Sequence, residues 1–464
     1  MSEADALRAR ARSLWSAGRA EEAIAAARAA AARTPDPSAL ADLGVMLLEA
    51  RQAEAAADAL RKAIAKGLDA AGLWLLLGKA EAAAGRLPAA QRALDAALDR
   101  DPGQAALHNE RLQLVWMRTG DFDQAAARLR QQLARAPALE LHRTLLAALA
   151  HTDQAEQAWA EVQAAMRLYS GSARLKLDAV RLATDAGRPD EALALAEPAL
   201  AAAPDDPGAL QATTVARLAA GRTEQAVASA EALRKAAPDD QLAIALLATA
   251  WRAAGDARYR ELYAYDDLVR TWRIETPSGW PTREAFLQAL QERLKAAIPY
   301  RAHPLDQSTR NAVQTRGDLT GSTDPVIRAF FASVGKLISA HIEALGPGDD
   351  PVRRRRSGSW RFHGAWSVLQ RAGGRHVDHV HPRGWLSSAF YVATPEQALG
   401  GADRPGWIRF GKPGLVTAQD MPAEHFVRPE AGMLVLFPSY MWHGTNPFAT
   451  DEQRMTVAFD VVPA

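Results

Sequence analysis

The sequence predicts two parts of different class. Residues 1–256 read as an all-α repeat array. Residues 257–464 read as a β-rich domain with flanking helices and a β core from about residue 350. Three observations carry this. A glycine-marked turn returns about every 34 residues in the first part. Composition shifts from Ala, Leu, Arg and Glu to Val, Phe, Tyr, Trp, Gly and Pro past residue 350. Short apolar, β-branched or aromatic runs then alternate with Gly and Pro, which suggests a sandwich or barrel.

Charge and composition narrow the function. The chain has 464 residues, with 55 Lys plus Arg against 54 Asp plus Glu, a net charge of 55 − 54 = +1. That balance argues against a general nucleic-acid coat or a membrane-surface protein, so neither partner is expected. With no cysteine, disulfides, thiolate clusters and thiol nucleophiles are excluded, and a metal must be held by His, Asp or Glu. No run of about 18 apolar residues suggests a membrane span. The acidic start Met1-Ser2-Glu3-Ala4-Asp5 lacks the basic head and apolar run of a signal peptide, so a cytoplasmic protein is expected.

In the first part the same turn recurs at Gly18, Gly85, Gly120, Gly187, Gly221 and Gly255. Gly187 to Gly221 and Gly221 to Gly255 are each 34 residues; Gly85 to Gly120 is 35. The intervals Gly18–Gly85 and Gly120–Gly187 are each 67, about two periods, with the absent turns near Arg51-Gln52 and Thr152-Asp153. An acidic or amide residue and Ala follow the turns, as in Glu22-Ala23, Gln124-Ala125, Gln157-Ala158, Glu191-Ala192 and Gln225-Ala226. Pro35, Pro102, Pro137, Pro204 and Pro238 close units. This pattern resembles the tetratricopeptide repeat over about residues 3–256, roughly seven units. Gly accepts the left-handed helix cap, Ala permits close crossing and Pro halts the second helix. Because one pair cannot bury its apolar face alone, the pairs are expected to stack into a superhelix with a concave groove. The groove suits a peptide or protein; a solenoid that only spaces or dimerises the chain is the plainer reading.

Tyr259–Trp272 and Pro281–Ala297 read as helices, Pro299–Gly321 as irregular, and Asp324-Pro325 as the start of a helix to about Leu345. Arg353–Arg356 reads as a solvated loop or, alternatively, a patch for an acidic substrate segment. Strands are expected at Trp366–Leu369, Leu386–Val392, Trp407–Phe410, Met433–Phe437 and Met455–Val462. Trp385 and Trp442 read as packing residues, and His303 lies in a loop that could cover a site.

Three of 11 histidines fall within Gly374-Arg375-His376-Val377-Asp378-His379-Val380-His381-Pro382. On a strand His379 and His381 share a face, as do His376 and Asp378. His443 follows at a distance, and Arg454 opens the last strand. This order resembles the 2-oxoglutarate- and iron(II)-dependent oxygenases, more narrowly the bacterial subfamily with a His-x-His-Pro first motif, over about residues 300–464. The matching segments are His379-Val380-His381-Pro382, Leu386 to Val392, Gly432 to His443, and Arg454-Met455-Thr456.

The resemblance implies a double-stranded β-helix of jelly-roll or cupin type, with iron(II), 2-oxoglutarate as cosubstrate and dioxygen. A facial triad would leave positions open for cosubstrate and oxygen. Arg454 suits the far carboxylate of the cosubstrate, with Thr456, Tyr391 or Ser387 adding a bond. The usual motif is His-x-Asp, so the metal set stays open here. It is His379, His381 and His443; or His379 and His443 with His381 behind them; or a set using His376 and Asp378. The implied activity is hydroxylation of a peptide or protein side chain recruited by the repeats. A small-molecule hydroxylase, a non-catalytic adaptor and a zinc or manganese cupin-like enzyme are the alternatives.

Overall fold

The computed structural model describes residues 3–33, 36–152 and 154–464. Pro35 and Asp153, both used in the repeat pattern, lie outside them. The chain divides into two compact units, one ending at Leu145 and one running from Leu146 to Ala464.

Fifteen described helices precede residue 255. They are α1 (Glu3–Ser16), α2 (Ala20–Arg33), α3 (Pro37–Glu49), α4 (Ala53–Ala65), α5 (Ala71–Ala83), α6 (Leu87–Arg100), α7 (Ala105–Thr119), α8 (Phe122–Arg135), α9 (Leu139–Leu149), α10 (Ala155–Leu168), α11 (Ala173–Asp185), α12 (Pro189–Ala202), α13 (Pro207–Ala219), α14 (Thr223–Ala236) and α15 (Gln241–Ala254). In the first unit α1 packs on α2, α3 on α4, α5 on α6 and α7 on α8. Gly44 and Gly78, 34 residues apart, show why small residues recur. A Cβ on either would lie within 3 Å of Leu60 or Leu94, themselves 34 apart on the partner helices. At the turn where glycine is missing, Arg51 itself adopts the left-handed conformation, with φ of 61°.

In the second unit Ser172, Asp206 and Asp240 cap α11, α13 and α15, each side chain accepting a backbone N–H of the first turn. These three first helices stack directly on one another. Beyond them come α16 (Tyr259–Leu262), α17 (Tyr265–Leu268), β1 (Arg270–Arg273), α18 (Arg283–Ala296), β2 (Thr309–Gln314), α19 (Pro325–Leu345), β3 (Trp360–His376), β4 (Leu386–Ala393), β5 (Ile408–Phe410), β6 (His425–Val427), β7 (Met433–Pro438), β8 (His443–Thr445) and β9 (Arg454–Pro463). All ladders are antiparallel. A six-stranded sheet runs β1-β7-β4-β9-β3-β2 and a three-stranded sheet β6-β5-β8. No described helix is long and apolar enough to cross a membrane.

Three expectations need correction. Tyr259–Trp272 is not one helix: two short turns lead into β1, because Arg270–Arg273 pairs with the open edge of β7. Pro299–Gly321 is not wholly irregular, since Thr309–Gln314 pairs with β3. The arginine run is no free patch. Arg353 binds Asp350 and Asp267, Arg354 binds Asp239 in the loop before α15, and Arg355 donates to the Gly384 carbonyl.

The last repeat is part of the β domain's core. Ile244, Ala245 and Ala248 of α15 pack in one cluster with Phe437 and Trp442. Trp442 Nε1 donates to Thr249 Oγ1 (2.9 Å), and Arg252 donates to the carbonyls of Gly411 and Pro422 (both 2.8 Å). The Ala418 N–H reaches the Leu218 carbonyl at 3.0 Å.

Candidate active site

His379 and His443 are joined by their backbones before their rings meet. The His379 N–H donates to the His443 carbonyl (2.9 Å), and the reverse bond is 3.0 Å. β5 holds β8 on its other side, pairing Phe410 with His443. His381 is fixed by its N–H on the Ser439 carbonyl (3.0 Å); the following Pro382 disfavours helix there. One ligand nitrogen from each of His379, His381 and His443 falls within 4.8 Å of the other two.

Hydrogen bonding decides which nitrogens converge. His379 Nδ1 faces the Val377 carbonyl and His443 Nδ1 the Met441 carbonyl, both at 2.9 Å. His381 Nδ1 lies 2.8 Å from Asp460 Oδ1 and 2.9 Å from Oδ2. These acceptors carry no proton to give, so each Nδ1 holds the imidazole proton and each Nε2 presents a lone pair. His379 Nε2 and His381 Nε2 are 3.2 Å apart. Two lone pairs facing at that distance repel unless a cation lies between them. Burial, followed by neighbouring histidines, pushes His379 down to about 3 and His443 well below the ordinary range. The rings thus resist protonation, and neutral imidazole is the form that binds metal.

Asp460 is buried on β9. Its Oδ1 accepts from Ser387 Oγ (2.7 Å), and Ser387 Oγ lies 2.8 Å from Ser439 Oγ. Carboxylate support of a histidine in this manner orients a metal ligand. Ser387, read from sequence as a cosubstrate donor, is therefore placed behind His381. The other expected pair is divided. His376 Nδ1 lies 3.1 Å from Ser308 Oγ. Asp378 is held bidentately by Arg409 at 2.9 and 2.7 Å, and its backbone and carboxylate crowd Gly414 and Gly444.

Arg454 is 2% exposed. Its Nη1 donates to Gln370 Oε1 (2.6 Å), and its guanidinium lies 5.1 Å from the Tyr391 ring centre. Arg454 Nε, Gln370 Nε2 and the Tyr391 hydroxyl are buried without a hydrogen bond. Burying such donors is costly unless a ligand satisfies them. Burial raises the Tyr391 pKa, keeping the phenol a neutral donor. Thr456 lies on the same face of β9 as Arg454 and, with it, lines the cavity. The donor set thus fits a divalent metal at three histidines and a carboxylate at Arg454.

One cavity of about 740 Å³ is lined by the three histidines together with Arg454, Thr456 and Asp460. Its β wall includes Trp366, Phe437 and Trp442, and its other wall comes from α11, α13 and α15: Arg181, Thr184, Asp185, Gln211, Val215, Leu242 and Leu246. The His303 loop reaches it through Ser308, whose Oγ lies 3.1 Å from His379 Nε2. Trp385 donates to the Val352 carbonyl in the core, away from the cavity lining.

Sequence reasoning missed Asp460, Ser308, Gln370 and the Asp378–Arg409 pair. Asp460 was within reach, since it shares strand parity with Arg454, Thr456 and Ala458 and all four line the cavity. Ser308, Gln370 and Arg409 carry no spacing signal of their own.

The family described as "Putative 2OG-Fe(II) oxygenase" matches residues 364–460. Tetratricopeptide-repeat families match residues 183–250 and residues 8–72, 42–105 and 75–118. Similar solved structures include a tetratricopeptide repeat protein from Parabacteroides merdae, at 12% identity over 53% of this chain and 98% of that one, TM-score 0.35. A Pseudomonas putida prolyl-4-hydroxylase is 15% identical over 44% and 97%, TM-score 0.30. The viral collagen prolyl hydroxylase of Paramecium Bursaria Chlorella virus-1 is 11% identical over 42% and 97%, TM-score 0.28. No curated protein matches the chain.

Proposed function

We propose that this chain, which joins tetratricopeptide repeats to a C-terminal 2OG-Fe(II) oxygenase domain, hydroxylates a side chain of a peptide or protein presented to the metal by the repeats. The observation that carries it is the convergence of three Nε2 lone pairs, each with its Nδ1 proton pinned, beside a buried arginine with an unused donor. Bound iron(II) and 2-oxoglutarate supply oxidative decarboxylation coupled to hydroxylation of an unactivated C–H bond.

The chain's own residues do the rest. His379, His381 and His443 would hold the metal beside the cavity they line. Arg454 receives the far carboxylate of the cosubstrate, with Thr456 and the Tyr391 hydroxyl as further donors, and Gln370 keeps the guanidinium in place. Asp460 holds the proton on His381 Nδ1. Where a His-x-Asp site would place a carboxylate on the metal, Asp460 would instead act on it through His381. Trp366, Phe437 and Trp442 limit water. The wall from α11, α13 and α15 supports a peptide substrate, because residues of these helices line the same cavity as the three histidines.

The test is anaerobic reconstitution with iron(II) and 2-oxoglutarate, then succinate measured on exposure to oxygen, with and without cell lysate. Succinate release that disappears in His443→Ala and Arg454→Ala is the expected result. Absence of His443-dependent succinate under every condition rules the function out.

A further inference from the structure

Ser308 is tied to the histidine segment by backbone and side chain. The Val377 N–H donates to the Ser308 carbonyl (2.9 Å), and Thr309 pairs with His376 across β2 and β3. Ser308 Oγ lies 3.1 Å from His376 Nδ1 and 3.1 Å from His379 Nε2. His376 is itself held from the other sheet, its N–H donating to Thr445 Oγ1 on β8 (2.8 Å). Ser308, His376 and His379 all line the cavity. Neither metal binding nor the grip on the far carboxylate uses the Ser308 hydroxyl.

Proton counting fixes the direction of these bonds. His379 keeps its proton on Nδ1, against the Val377 carbonyl, so its Nε2 only accepts. Ser308 therefore directs its one hydroxyl proton to His379 Nε2. None is left for His376, so His376 Nδ1–H is the donor to Ser308 Oγ. The chain runs from His376 Nδ1–H through Ser308 Oγ–H to the His379 Nε2 lone pair. A metal on His379 takes that lone pair. Ser308 still accepts from His376, so its hydroxyl keeps its place but loses its acceptor. A donor of this kind costs stability until a new partner is found. The acceptor that arrives with the metal is an oxygen atom of its other ligand, and a carboxylate oxygen is a strong one.

We infer that the Ser308 hydroxyl, aimed by His376, binds the keto-acid end of the cosubstrate beside His379. Ser308 is then a binding residue and His376 its positioning residue. The inference rests on reading the three histidines as a metal site.

The experiment is calorimetry on the full-length protein loaded anaerobically with cobalt(II). It is titrated with 2-oxoglutarate and with oxalate, which offers the chelating oxygens of the metal end but no far carboxylate. Ser308→Ala is expected to bind cobalt at least as tightly as wild type, since no hydroxyl competes for the His379 lone pair. It should bind oxalate and 2-oxoglutarate each about tenfold more weakly. Ser308→Thr, which keeps a hydroxyl, retains oxalate binding. His376→Ala leaves the hydroxyl unaimed and weakens oxalate about threefold. His376→Asn, whose amide N–H replaces the Nδ1–H, restores it. Arg454→Ala by contrast weakens 2-oxoglutarate alone. Unchanged oxalate binding in Ser308→Ala, a loss there confined to 2-oxoglutarate, or weaker cobalt binding overturns the inference. Wild type that binds cobalt yet neither oxalate nor 2-oxoglutarate overturns the oxygenase reading itself and this inference with it, so the two failures are distinguishable.

Discussion

Replacing Asp460 separates a structural histidine support from one that serves a metal. In the wild type its carboxylate lies 2.8 and 2.9 Å from His381 Nδ1 and takes a 2.7 Å bond from Ser387. Asp460→Ala removes the acceptor, so the His381 proton can move to Nε2 and the ring can turn. Loss of such a partner typically weakens metal binding about 10- to 100-fold, equivalent to about 1.4–2.7 kcal/mol. Asp460→Asn can still turn its amide oxygen to His381 and its NH₂ to Ser387, whose own hydroxyl can donate to Ser439. It loses the charge but keeps the tautomer, so the expected loss lies near the tenfold end. The assay is anaerobic iron(II) or cobalt(II) titration by calorimetry, with thermal melting of the metal-free proteins in parallel. Asp460→Ala that binds metal as tightly as wild type refutes the tautomer argument. So does an Asn variant weaker than the Ala variant.

Arg454→Ala should retain metal binding yet weaken 2-oxoglutarate binding by about 2–3 kcal/mol, read by calorimetry on the metal-loaded protein. Gly414→Ala would drive a Cβ into the Asp378 carbonyl and against Trp442. It should cost about 1–3 kcal/mol of stability in denaturant melts, and an unchanged midpoint would contradict the packing. His341 on α19 is fully buried and accepts the Trp272 indole N–H on Nδ1 (3.3 Å), and burial pushes its pKa down to about 4. The unfolded chain takes up this proton first, so stability falls as pH drops through about 6.5 and levels off below about 4. His341's own share of the loss between about pH 7 and pH 5 is about 2 kcal/mol, and His341→Gln should reduce the total loss by about that amount.

The repeats were legible because their signal is local and recurs: a turn glycine, a capping residue and an Ala crossing each act within one unit. Even the silent turn at Arg51 was located by period alone, although its side chain gave no sign of a positive φ. The three histidines that converge in the structure were legible through their order. Where His381 and Asp378 point was not, because it is set by partners distant along the chain. Asp460 is 79 residues from His381, and Arg409 is 31 residues from Asp378. Strand β1 was read as helix for the same reason, since only the open edge of β7 makes Arg270–Arg273 extended.

The same long-range contacts determine how the repeats and the oxygenase domain can be separated. Residues 1–256 look detachable in the sequence, but α15 places Ile244, Ala245 and Ala248 in the β domain's core and hydrogen-bonds Trp442, the neighbour of His443. Removing it exposes that apolar face and leaves the Trp442 indole N–H unpaired, a loss of several kcal/mol from burial alone at about 25 cal/mol per Å². A chain beginning at residue 257 should therefore melt early or aggregate, and fail to bind metal. A chain beginning at Leu139, just before the second compact unit, keeps α10 to α15 and every repeat residue of the cavity wall. It should bind metal and 2-oxoglutarate as the full chain does. Any defect confined to large protein substrates would then belong to the first unit. If the chain beginning at residue 257 instead folds and binds metal normally, the contacts of α15 with Trp442 and the core contribute nothing to the site, and the view of the last repeats as its wall fails.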